Sequence, residues 1–220
     1  MGWQLSAKRA MDVVAACTLL VVLAPVMAFA ALGTLMTTGR PVLFRHVRPG
    51  LNGEPFTMYK FRTMRPAGSH EQYWTTDELR LTAFGRLLRR TSLDELPQLL
   101  HVVTGTMSLV GPRPLLMEYL PRYSARHARR HEMRPGITGL AQVNGRSALS
   151  MGEFLDLDVR YVDNWSLRLD VIILLRTLAI PFRRGYIPGL QLSDRDDVEL
   201  MYSSLSPIGA NGNERQGPRR

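Results

Sequence analysis

From Val13 to Gly39 the chain runs 27 residues without a formal charge, and Val13–Met36 is strongly apolar. At about 1.5 Å per helical residue, that apolar stretch is long enough for a hydrocarbon core of roughly 30 Å. Its flanks argue against a simple crossing. Lys8 and Arg9 precede it and Arg40, Arg45 and Arg48 follow, so both ends ask for the cytoplasmic side. Pro25 near the middle removes a backbone donor and kinks a helix. A helix that enters the bilayer, bends at Pro25 and returns to the same face satisfies both features. A signal anchor that tolerates the proline is the plainer alternative. Ala28-Phe29-Ala30 imitates a signal-peptide cleavage site, but the apolar run continues to Met36 and cleavage would leave a greasy N-terminus. Retention is expected.

The remainder carries enough apolar residues for a packed core, 45% of the whole chain. A single cysteine, Cys17, excludes an internal disulfide. C-x-x-C is missing, and neither His70-Glu71 nor His131-Glu132 continues as H-E-x-x-H, so a common zinc site is not expected. G-x-G-x-x-G and the P-loop pattern are absent too, which weakens Rossmann and ATPase readings. The net charge is +9, and the only lysines among 28 basic residues are Lys8 and Lys60. Codon bias explains the arginine excess as well as function does, but an internal lysine in such a chain stands out. The charge calls for anionic partners: nucleic acid, phospholipid headgroups or a phosphorylated substrate.

The pattern predicts an α+β chain, mainly helical. Residues 41–65 read as a hairpin, Val42-Leu43-Phe44 and Phe56–Phe61 flanking a Pro49–Gly53 turn. Helices are expected over Leu79–Leu88, from Ser92 toward Val103, and over Leu115–His131, Met151–Trp165 and Leu169–Phe182. Arg134–Arg146 reads as a glycine-rich loop, and residues from about 203 onward as a disordered polar tail. The leucines and arginines of the 79–90 and 169–184 segments also suit interfacial amphipathic helices on an anionic leaflet; core leucines with solvated arginines are the bland alternative.

Thr91-Ser92-Leu93-Asp94-Glu95-Leu96-Pro97 is the most informative stretch. Ser92 and Glu95 have capping-box spacing and can simply start a helix. With Asp94 as the cap instead, Pro97 falls inside the first turn, where it is tolerated. Either register sets Asp94 at a helix N-terminus, where the dipole favours an ionised carboxylate. Such a group can attack phosphorus or hold Mg²⁺, with Glu95 as base or second ligand. In Gly111-Pro112-Arg113-Pro114 the prolines stiffen the backbone on both sides of a guanidinium suited to bidentate phosphate contact, or make a plain connector. The glycines of Arg134-Pro135-Gly136-Ile137-Thr138-Gly139 and Asn144-Gly145-Arg146 permit close backbone approach to a ligand, as they would in ordinary turns.

The order of these pieces produces a resemblance. Lys8-Arg9-x-x-Asp12 leads into the apolar segment with Pro25. Arg48-Pro49-Gly50, Tyr59-Lys60-Phe61-Arg62-Thr63-Met64 and Ser92–Gln98 follow, then Met107–Pro114 and Arg134–Arg146. Over about residues 8–185 the chain resembles the bacterial sugar transferase family, the monotopic polyprenyl-phosphate phosphoglycosyl transferases, in its minimal catalytic form.

The resemblance implies transfer of a sugar 1-phosphate from a UDP-sugar to undecaprenyl phosphate, with UMP released and Mg²⁺ required. Asp94 becomes the nucleophile of a ping-pong sequence and a metal ligand, and Glu95 its assistant. Lys60, Arg89, Arg113 and Arg146 become contacts for phosphate or nucleotide, and Asp170 a supporting residue. It also implies a re-entrant helix kinked at Pro25 over residues 1–40, a compact cytosolic catalytic domain over 41–202 and a polar tail over 203–220. The place is then the cytoplasmic face of the bacterial inner membrane, among anionic lipids. Where the family often carries Ser-Pro at the kink, this chain has Ala24-Pro25.

Two other readings compete. A membrane-tethered basic module accounts for the charge and the apolar segment but not for Asp94-Glu95 or the Arg113 turn, and its basic runs lack the interleaved aromatics that nucleic acid would need. A glycosyltransferase moving only the sugar would release UDP. No residue can be tied to an N-acetyl group or a particular epimer, and a monomer and a homodimer both stay open.

Overall fold

The computed structural model describes residues 2–66, 80–145 and 149–179. The apolar segment forms two helices, α1 (Gly2–Val22) and α2 (Ala24–Thr38), bent by 63° at Leu23. Pro25 lies in the first turn of α2, where its missing N–H does no harm, and it ends α1 because its ring clashes with the carbonyl four residues back. Among the described residues no single helix is long and apolar enough to cross a membrane; the bent pair passes that test together.

The expected hairpin is present. β1 (Leu43–Pro49) pairs antiparallel with β2 (Pro55–Phe61) around a short 3-10 turn at Leu51–Gly53, where Asn52 and Gly53 take positive φ. α3 (Ala83–Thr91) starts later than the sequence suggests, because Thr82 caps it through Gly85 N–H. A 3-10 helix, Leu93–Gln98, then runs into α4 (Leu99–Thr104). The single helix expected over Leu115–His131 is not formed. Two 3-10 stretches, Met117–Arg122 and Arg129–Glu132, flank a one-turn α5 (Ala125–Ala128), since Pro121 breaks the ladder and Ser124 begins a new cap.

The glycine-rich stretch is not a loop either. β3 (Ser108–Val110) pairs in parallel with β4 (Gly136–Thr138), and α6 (Leu140–Val143) follows. The glycines serve this pairing. A Cβ on Gly136 would stand 2.1 Å from Gly111 N, one on Gly111 2.2 Å from the Arg134 carbonyl, and one on Gly139 2.2 Å from the Gly111 carbonyl. The close approach read from the sequence is therefore backbone on backbone. α7 (Met151–Asp163), with a complete Ser150/Glu153 capping box, and α8 (Leu167–Ala179) complete the described chain. The 203–220 tail lies outside the described residues.

Three apolar clusters hold these elements. Ala16 of α1 packs with Leu99, Val102, Val110, Tyr161 and Ile173. Leu115, Leu116 and Tyr119 pack on Ala141, Phe154 and Leu155. Ala30 of α2 meets Phe61 and Leu88. One stripe of α1, Lys8, Asp12 and Ala16, is thus seated in the body, while Trp3, Val21, Val22, Phe29, Leu32 and Met36 are each more than half exposed.

Gly136→Ala is expected to lower stability by about 1–3 kcal/mol, because the new methyl must push β3 and β4 apart. Thermal unfolding of the variant beside the parent checks this; an unchanged midpoint would mean the pairing is looser than described.

Candidate active site

Asp94 and Glu95 open the 3-10 helix that leaves α3. Ser92 makes the corner in the left-handed region, φ 57° and ψ 19°. For a serine that costs about 1–2 kcal/mol, a local strain that the surrounding packing must hold. The Ser92 side chain caps nothing, so the capping box suggested by its spacing is not made. Glu95 instead reaches across to Arg113, with Nη2 donating to Oε1 at 2.9 Å.

Asp94 is fully buried, and neither of its carboxylate oxygens has a hydrogen-bond partner among the described residues. Burial, reinforced by the charge of Glu95, pushes its pKa up to about 6, against the opposing pull of Lys60, Arg89 and Arg113. Three stretches of chain thus bring a cation to one carboxylate. Lys60 comes from the end of β2, its ammonium over the Phe44 ring at 5.3 Å. Arg89 comes from the last turn of α3, its Nε donating to Thr63 Oγ1 at 3.0 Å. That bond is possible because α3 lies directly on the strand end: a Cβ on Gly85 would fall 2.0 Å from the Thr63 carbonyl oxygen. Arg113 comes from the turn after β3.

Lys60, Arg89, Asp94, Glu95 and Arg113 are therefore brought together, and Arg146 lies outside the described residues. Asp170 takes another place. It is fully buried at the start of α8 and accepts from Lys8 Nζ at 2.6 Å, Tyr161 OH at 2.7 Å and Trp165 Nε1 at 3.2 Å. Lys8 Nζ and Tyr161 OH also donate to the Val110 carbonyl, both at 3.1 Å, so Asp170 bears on the site through the strand that leads to Arg113. Asp12 joins the same knot, taking Ser108 Oγ at 2.7 Å and Leu109 N–H at 3.2 Å. Arg9 closes the end of α4, donating to the Val102 and Val103 carbonyls. The Lys8-Arg9-x-x-Asp12 sequence is thus a set of bolts holding α1 to the body.

Reasoning from sequence missed Arg130 and Asp158. Arg130 is fully buried and donates through Nε and Nη2 to Asp158 Oδ2, through Nη1 to Tyr123 OH at 3.0 Å, and through Nη2 to the Arg113 carbonyl at 2.6 Å. Nothing in the run Arg126–Arg130 distinguishes that arginine from its neighbours.

A buried carboxylate ringed by cations suits an enzyme that handles phosphate groups. Comparison with known proteins gives the family. A model described as bacterial sugar transferase matches residues 3–184. A sugar transferase of Bacillus subtilis, EpsL, itself described as uncharacterized, is 53% identical over 171 residues, covering 78% of this chain and 85% of its own. The UDP-glucose:undecaprenyl-phosphate glucose-1-phosphate transferase of Caulobacter vibrioides is 44% identical over 181 residues, 78% of this chain and 68% of its own. The exopolysaccharide production protein ExoY of Rhizobium meliloti is 37% identical, over 81% of this chain and 87% of its own. The chain belongs to the bacterial sugar transferase family.

Asp94 has a stability signature of its own. Its carboxyl ionises near 3.8 in the unfolded chain and near 6 in the fold, so the folded state holds the extra proton between these values and stability falls as pH rises through them. Above that window the penalty is on the order of 2–3 kcal/mol. Asp94→Asn in metal-free buffer is expected to raise the unfolding midpoint at about pH 7.5 and to do so far less near pH 4. An equal change at both pH values would contradict the burial of an ionised Asp94.

Proposed function

We propose that this chain transfers a sugar 1-phosphate from a UDP-sugar to undecaprenyl phosphate, releasing UMP and forming undecaprenyl-diphosphate-sugar. The observation that carries the reading is the buried Asp94 carboxylate, without a hydrogen-bond partner among the described residues and set among Lys60, Arg89 and Arg113. An Asp94 oxygen attacks the β-phosphorus of the donor. The bond from that phosphorus to the bridging oxygen breaks, and UMP leaves with the electron pair. The phosphosugar stays on Asp94 as an acyl phosphate. An oxygen of undecaprenyl phosphate then attacks the same phosphorus, breaks its bond to Asp94 and restores the carboxylate.

Phosphoryl transfer needs in-line placement and neutralised oxygen charge more than covalent help from the protein. Lys60, Arg89 and Arg113 supply fixed positive charge at a water-poor carboxylate, where it acts more strongly than in solvent. Arg113 also holds Glu95, so the second carboxylate of the dyad stays beside the first. Mg²⁺ fits the donors present: Asp94 would hold it, with Glu95 adjacent, since the two hard oxygens of Asp94 have no partner among the described residues and Mg²⁺ characteristically takes one or two carboxylates plus substrate phosphate. When bound, it adds charge neutralisation at the phosphate oxygens.

The relative from Caulobacter is named for UDP-glucose and undecaprenyl phosphate, which makes UDP-glucose the first donor to try. The bent α1–α2 pair, with its exposed Val21, Phe29, Leu32 and Met36, is read as a re-entrant element in the cytoplasmic face of the bacterial inner membrane. Residues 1–40 make that element, 41–202 the catalytic part, and the arginines on its surface attract anionic lipid headgroups. An acceptor whose phosphate lies at the headgroup plane then meets the site without leaving the bilayer.

Purified protein given Mg²⁺, undecaprenyl phosphate and a panel of UDP-sugars is expected to release UMP with one donor, and Asp94→Asn to abolish the release. UDP in place of UMP would mean transfer of the sugar alone and would remove the role given to Asp94. For topology, Ser6→Cys and Arg45→Cys, each in a Cys17→Ser background, are expected to label from the same side of sealed vesicles. Labelling from opposite sides would establish a crossing helix instead.

A further inference from the structure

Arg130 and Asp158 form a buried ion pair that does not touch the dyad and reaches the cations around it only through the backbone carbonyl of Arg113, and the reaction above makes no use of it. Both side chains are about 1% exposed. Such a pair is a poor source of stability, since desolvating two charges offsets most of their attraction and apolar residues of similar volume do as well or better. Its geometry shows another purpose. Asp158 takes Arg130 from Nε and Nη2, and Tyr123 OH takes Nη1. The guanidinium plane is thereby fixed, and Nη2 is left aimed at the Arg113 carbonyl, 2.6 Å away.

Arg113 stands between Pro112 and Pro114, so its own N–H and C=O are the only backbone groups by which that turn can be held at this residue. Its side chain leaves in the other direction, to Glu95 Oε1 at 2.9 Å. A shift of the carbonyl would therefore move the guanidinium along the dyad.

We propose that Arg130, oriented by Asp158, is a positioning residue for the transfer reaction: it anchors the Arg113 backbone so that the Arg113 guanidinium is held on Glu95 and against Asp94. The inference rests on the proposed reaction only for its readout. Arg130→Lys keeps the charge beside Asp158, but a single ammonium cannot serve Asp158, Tyr123 and the Arg113 carbonyl in a fixed fork. Arg130→Met with Asp158→Leu removes both charges together and leaves no orphaned carboxylate in the core.

The test measures UMP release and unfolding midpoints for the parent, both variants, Arg113→Ala, and each variant combined with Arg113→Ala. Displacement of a catalytic group by about 1 Å can cost 100-fold, so kcat/KM is expected to fall about 10- to 100-fold in the paired variant with its midpoint near the parent's. The loss should divide between kcat and KM as it does in Arg113→Ala. In the Arg113→Ala background the same substitutions should cost less than about threefold, because groups acting through one residue are not additive. Arg130→Lys should show the same pattern, and it decides the matter if the paired variant does not fold. Equal losses with and without Arg113, or parent-like turnover in a folded variant, would overturn the inference. Failure of the parent itself to release UMP would instead count against the reaction.

Discussion

The backbone from Val110 to Arg113 is the point at which the rest of the molecule is tied together. The Val110 carbonyl takes Lys8 from α1 and Tyr161 from α7. Gly111 N–H donates to the Thr138 carbonyl, the Pro112 carbonyl accepts from Gly136 N–H, and the Arg113 carbonyl accepts from Arg130. Two of these residues are proline and glycine for opposite reasons. Gly111 has no Cβ because the 134–136 backbone occupies that space, and Pro112 and Pro114 narrow the conformations open to Arg113. A turn held at four successive residues moves little, which keeps the positive charge of Arg113 fixed near the buried carboxylate.

Three groups of buried charge differ in how they are compensated, and the difference separates scaffold from site. Lys8, Asp12 and Asp170 are paired and hydrogen-bonded, as are Arg130 and Asp158. Asp94 receives long-range help from three cations but no hydrogen bond among the described residues, so burial dominates and its pKa rises. An unsatisfied carboxylate is an expensive thing to fold around. In the proposed reaction, a carboxylate so placed needs little desolvation before it attacks.

The bent helix pair is part of this scaffold as well as its outer surface. A Cβ on Gly33 would overlap the Phe84 ring, and Phe29 meets the same ring edge-to-face with centroids 5.9 Å apart. Phe84 belongs to α3, whose last turn carries Arg89 and whose end delivers Asp94. The 63° bend lets α1 bolt onto β3 and α4 while α2 lies on α3 and β2. The position of the apolar pair and the placement of the dyad are therefore mechanically linked.

Much of this was legible in order along the chain. The charge-free run with Pro25 gave the bent pair, two strand-like runs around the Pro49–Gly53 turn gave the hairpin, and the Asp94-Glu95 and Arg113 motifs pointed to a phosphate-handling centre, because these signals are local in sequence. What depended on distant partners was not legible. The glycines after Arg134 read as room for a ligand until β3 was seen beside them, and Ser92 read as a cap until Arg113 was seen to take Glu95. Arg130 was one arginine among several in an expected helix; only the tertiary fold buries it against Asp158 and aims it at Arg113. Sequence determined which residue types stood at which spacing. Tertiary structure decided which charges were compensated and which were left poised, because desolvation and hydrogen bonding depend on neighbours far away along the chain.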